Sequence, residues 1–115
     1  MDLSESDVRK QVLDYLRKTG VFIFEDRQVS GKPGRGTRRK SNGVADLLGI
    51  YKTFPLAIEL KRKGGTLSKE QYDFLVRFKQ EGGIGIVSTG VEELQVELAS
   101  EYHRLTRTRT TAGVS

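Results

Sequence analysis

Cysteine is absent from this chain of 115 residues, and histidine occurs once. The first absence excludes disulfides, thiolate zinc sites and cysteine nucleophiles together. The second leaves a zinc centre or a histidine-based phosphodiesterase almost without ligands, and His103 reads as ordinary surface near the end of a helix. Any bound metal would have to be held by carboxylate oxygen, which suits hard cations. Apolar runs are short, and none approaches the roughly 20 residues that cross a bilayer. The opening stretch, MDLSESDVRKQ, is acidic and polar and lacks the apolar centre of a secretory signal. The expectation is a soluble, cytoplasmic protein with no membrane partner.

What is present amounts to one domain. Hydrophobic residues make up 36% of the chain, concentrated in runs that can build a modest core. A chain this small gains from a dimer interface. Twenty Lys and Arg against fifteen Asp and Glu leave a net charge of +5, compatible with a polyanionic partner.

Val8, Val12, Tyr15 and Leu16 recur at helical spacing between Glu5 and Thr19, with Ser4 as N-cap and Gly20 as stop. VFIF (21–24) is a continuous apolar run that suits a buried strand, extending towards Val29. Residues 30–42, SGKPGRGTRRKSN, form a basic loop without acid or apolar side chains. GVADLLGIY and FPLAIELK then read as two strands of a hairpin turning at Lys52 and Thr53, with Pro55 near the start of the second. A second helix is expected over 66–81, with Ser68 as N-cap, Gln71 at the capping-box position and Leu75 and Phe78 facing inward. IGIVS (84–88) is a fourth buried strand. A third helix over about 91–105 carries Val91, Leu94, Leu98, Tyr102 and Leu105 on one face. The single domain is thus residues 1–105, and 106–115 read as a disordered tail. The order is helix, three strands, helix, strand, helix: an α/β protein with its sheet covered by helices.

Chemistry concentrates in AIELK. Alternation puts Ala57, Glu59 and Lys61 on one face of the strand and Ile58 and Leu60 on the other. Charge inside a core strand requires a partner or a metal. Asp46 interrupts the preceding apolar strand, and a hairpin would bring it beside Glu59. Two converging carboxylates repel unless a divalent cation lies between them. Magnesium fits: it takes oxygen ligands, few of them from protein. Glu5 falls on the apolar face of the first helix and is expected to turn inward, either to join that centre or to interact with the helix dipole. Tyr51 and the phenylalanines are expected in the core rather than as base-stacking platforms.

With GVADLLGIYKTFPLAIELKRKGG followed by LSKEQ, the chain resembles the VRR-NUC branch of the PD-(D/E)XK nucleases. The resemblance runs from SESDVRKQVLDYL through G-x-x-D-L-L-G, I-E-x-K and L-S-x-x-Q to the GG-I-x-I-V strand. It implies a restriction-endonuclease-like αβββαβ core, here with an added C-terminal helix. It further implies that Asp46, Glu59 and the backbone carbonyl of Leu60 bind Mg2+ or Mn2+, that Glu5 completes or orients that shell, and that Lys61 positions the attacking water. Gln71 would hold the water or the phosphate, or else act only as a capping-box residue on Ser68. Lys32, Arg35, Arg38, Arg39, Lys40, Arg62 and Lys63 are the expected DNA-backbone contacts, since phosphate binding needs charge rather than fixed geometry.

The expected activity is metal-dependent, structure-specific cleavage of branched DNA, such as a Holliday junction, by a homodimer of bacterial or phage type. Two alternatives stay open: a flap, single-strand or restriction-like nuclease of the same chemistry, and a noncatalytic DNA-binding module of the same fold.

Overall fold

The computed structural model describes residues 2–27 and 43–113, with side chains described as far as residue 108. Helix α1 (Glu5–Lys18) leads into strand β1 (Phe22–Asp26). Strands β2 (Leu47–Tyr51) and β3 (Phe54–Leu60), helix α2 (Lys69–Gln80), strand β4 (Ile84–Ser88) and helix α3 (Val91–Gly113) follow. The four strands form one mixed sheet in the order β1-β2-β3-β4. The first two pairings are antiparallel, and β3 pairs with β4 in parallel, with α2 as the crossover.

Alternation along the strands sorts the core into two layers. On one face Leu47, Leu56, Ile58, Leu60, Ile84 and Ile86 pack against Val8, Val12 and Leu16 of α1 and Leu94, Leu98 and Leu105 of α3. On the other, Ala57 and Leu48 meet Leu75, Phe74 and Phe78 of α2. Both α1 and α2 begin at a serine whose hydroxyl accepts from the third helical residue, and both capping boxes close. Among the described residues no helix is long and apolar enough to cross a membrane.

The hairpin between β2 and β3 turns at Lys52 and Thr53, which have φ of 46° and 76°. Positive φ at both central positions marks a primed two-residue turn, whose twist matches the flanking strands. Lys52 helps anchor this turn: its Nζ lies 4.8 Å from the ring centre of Tyr102, which also meets Tyr51 and Phe54 edge-on. Thus α3 is fastened to the hairpin tip.

Three expectations need correction. The VFIF strand is not buried: β1 is an edge strand, with Phe22 and Phe24 exposed by 60% and 56%. Only alternate residues such as Ile23 reach the core, and α2 lies over β3 and β4 rather than over β1. The strand ends at Asp26, and residues 28–29 lie outside the described residues. Gly49 is what lets β1 approach, because a Cβ there would come within 2.2 Å of the Phe22 carbonyl oxygen, beside an irregularity in the register. Helix α2 begins at Lys69, after its cap, rather than at Thr66. Helix α3 continues past Leu105 to Gly113, through most of the segment expected as a disordered tail.

Thr53 is β-branched and pays for its left-handed backbone, so Thr53→Gly is expected to raise stability by roughly 0.5–1 kcal/mol in denaturant unfolding. On α3, Glu97 has a carboxyl pKa raised by partial burial and by Glu93 and Glu101, one turn away on either side. A raised acid pKa favours folding of the protonated form, so its contribution is present below the unfolded pKa and lost as pH rises through the folded one. Glu97→Gln should therefore stabilise the protein at neutral pH. The advantage should shrink on titration down into the carboxylate range, and thermal unfolding across pH checks the sign.

Candidate active site

The β2–β3 ladder runs to the pair Leu47↔Ile58. One further step in that register sets Asp46 opposite Glu59, on the face that carries Leu48 and Ala57. Both carboxylates are buried, at 0% and 1% exposure. Burial of this kind is tolerated only when polar partners replace water, and each acid has them.

Asp46 is held first by the main chain. Its Oδ2 accepts the Leu60 N–H at 2.8 Å. The carboxylate thereby takes the next acceptor position where the β2 main chain stops pairing. The Asp46 carbonyl in turn accepts the Arg27 N–H at 2.8 Å, so β1 is tied to the same point. On the other oxygen, Arg9 Nη2 approaches Oδ1 at 3.5 Å. The Arg9 side chain is only 12% exposed, and its other terminal nitrogen pairs with Asp26 at the end of β1.

Glu59 is held from α2. Its Oε2 accepts Gln71 Nε2 at 2.6 Å, and Lys61 Nζ stands 4.0 Å from the same oxygen. Gln71 also closes the capping box, because its Oε1 accepts the Ser68 N–H at 2.9 Å while its own N–H donates to Ser68 Oγ at 3.1 Å. Of the two readings of Gln71 the structure shows the capping one, and it adds a contact that neither contained: the amide oxygen caps the helix while the amide nitrogen grips Glu59. Lys61 lies one residue past β3, its N–H on the Ser88 carbonyl at 3.0 Å, so it keeps the strand's direction.

The structure thus brings together Asp46, Glu59, Lys61 and Gln71. Leu60 enters through its N–H on Asp46. Glu5 does not fit its expected position, since it is the first residue of α1 and is exposed. Its angle on the helix matches the buried stripe, but it lies at the helix end, where that stripe is no longer covered. Among the described residues no group of three or more acidic, histidine or cysteine side chains is placed to hold a metal ion. Arg62 and Lys63 are exposed immediately after the β3 end. Lys32, Arg35, Arg38, Arg39 and Lys40 lie outside the described residues. His103 is exposed, as expected. Arg104 is engaged with Glu101 of its own helix, a hydrogen-bonded pair that raises the guanidinium pKa.

Arg9 is the participant that sequence reasoning missed. The signal was there: Arg9 shares the stripe of Val12 and Leu16 at helical spacing, where a charge needs a buried partner. Comparison of this chain with family models, with curated proteins and with solved structures finds no match.

Removing the Asp46 carboxylate would leave the Leu60 N–H without its acceptor and the Arg9 charge short of a counterion. Asp46→Ala is expected to cost about 2–3 kcal/mol. Asp46→Asn keeps an acceptor for Leu60 and should cost clearly less, and equal losses in urea titrations would contradict this account of what holds the residue.

Proposed function

We propose that this chain is a divalent-metal-dependent endodeoxyribonuclease of VRR-NUC type within the PD-(D/E)XK nucleases, with a restriction-endonuclease-like core. The observation that carries the reading is the buried pair Asp46 and Glu59 on adjacent antiparallel strands, with Lys61 and Gln71 on Glu59. The donor chemistry fits Mg2+ or Mn2+: the two ligand side chains offer oxygen only, and magnesium commonly takes one or two carboxylates.

In this reading Asp46 and Glu59 hold the ion, with the Leu60 carbonyl as a main-chain ligand. When bound, the ion supplies activation of water and stabilisation of charge on the phosphate. Lys61 then orients the water and adds a compact positive charge beside the phosphate. Gln71 keeps Glu59 in a fixed rotamer by way of a capped helix, so the ligand is positioned before substrate arrives. Arg62, Lys63 and the basic segment Lys32 to Lys40 take the DNA backbone, which is recognised by charge. Branched DNA and a homodimer with paired sites are the preferred substrate and assembly, on the strength of the sequence resemblance. A second reading, a noncatalytic DNA-binding module, draws on the exposed Glu5 and on the absence of a third converging acid among the described residues.

The test incubates wild type and Glu59→Ala with labelled four-way junction, flap, single-stranded and duplex DNA, in Mg2+, Mn2+ or chelator. Junction cleavage by wild type in either metal is expected, none in chelator, and a loss on the order of 10²-fold or more in the variant. Equal cutting by Glu59→Ala would end the metal-site reading. Equal cleavage of all four DNAs would end the junction assignment, and DNA binding without cleavage under every condition would favour the binding module.

A further inference from the structure

Arg9 gives the site a feature that two carboxylates and a lysine do not have by themselves. Its guanidinium spans two acids from different strands: Asp26, which ends β1, and Asp46, which precedes β2. The two contacts are unequal. The Asp26 pair is close, whereas the Asp46 contact, at 3.5 Å, is at the long limit of a hydrogen bond. With a side chain 12% exposed, Arg9 is poorly screened by solvent, so its charge acts strongly at Asp46. The other oxygen of Asp46 is already engaged by the Leu60 N–H. The oxygen that faces Arg9 is therefore the one on which a cation would compete with it most directly.

We infer that Arg9 is a resident counter-cation of the carboxylate site, whose contact with Asp46 competes with a divalent ion and holds down the affinity of the metal-free protein for that ion. This rests on the metal-site reading given above. The competition follows from charge and geometry. An ion at Asp46 places two positive groups within a few ångströms of each other in a buried setting, which is unfavourable unless the guanidinium withdraws. Asp26 supplies the place to withdraw to, being the closer partner already. Arg9 thus acts on the ion through Asp46 and is a positioning residue. An Arg9 that merely braced Asp46 for the ion would have the opposite effect, because its loss would weaken metal binding.

The experiment measures Mn2+ binding calorimetrically to the full chain as wild type, Arg9→Gln, Arg9→Lys and Asp26→Asn, alongside thermal unfolding without metal. Arg9→Gln is expected to bind Mn2+ at least about tenfold more tightly than wild type, because a nearby like charge is gone. The same variant should melt at a lower temperature in the absence of metal, since Asp46 loses a counterion. Arg9→Lys keeps the charge and should stay near wild type. Asp26→Asn removes the withdrawal site and should bind Mn2+ more weakly, which preserves the test if Arg9→Gln fails to fold. Wild-type binding that Arg9→Gln leaves equal or weakens would overturn the inference and leave the metal site standing, as would unchanged or tighter binding by Asp26→Asn. Absence of Mn2+ binding in every variant would instead overturn the metal site itself, and the inference with it.

Discussion

A buried carboxylate at the head of one strand, tied to the last amide of the next, is the constraint from which the rest of this molecule follows. The main-chain ladder between β2 and β3 runs to Leu47 and Ile58, and the Asp46 side chain then accepts from Leu60. An unpaired N–H and an unpaired carboxylate would each be costly in the interior, and together they remove both costs. The same contact holds Asp46 at the end of β3, where the strand register already sets it opposite Glu59 on one face. The end of the edge strand is tied to the same place, since the Arg27 N–H reaches the Asp46 carbonyl and Asp26 pairs with Arg9.

The site is spanned by both helical layers. Arg9 comes from α1, on the face packed with α3, and Gln71 comes from α2, on the opposite face. Neither side chain serves the site alone: Gln71 also caps its helix, and Arg9 also joins β1 to β2. The carboxylates therefore acquire their surroundings only when both layers have packed on the sheet. Such double use is economical in a chain of 115 residues. It also means that a substitution at these positions alters packing and charge at once, and the conservative variant is the more informative one.

Much of this was legible beforehand because the signals are local. The capping boxes at Ser4 and Ser68, the turn at Lys52 and Thr53, and the apolar stripe of Leu94, Leu98 and Leu105 each depend on a few neighbouring residues. The sharing of a face by Glu59 and Lys61 follows from strand alternation. Phe22 and Phe24 were misread because a run of four apolar residues looks the same in a central strand as in an edge strand. The difference lies in what covers the second face, and here α2 covers β3 and β4 instead, leaving Ile50 exposed at 41% beside the two phenylalanines.

Sequence alone determined which residues of each element share a face, which serines cap the first two helices, and that an aspartate and a glutamate on successive strands would need polar partners. The tertiary structure decided how far along each face the neighbouring layer extends and which side chain arrives from across it. That is why Arg9, and not Glu5, is the residue of α1 that reaches the site. They lie one helical turn apart on the same stripe, but only the second reaches into the packed region, where a guanidinium can displace water from a buried carboxylate. Periodicity reports direction around a helix axis, whereas burial depends also on distance along it, and that distance is set by the partner.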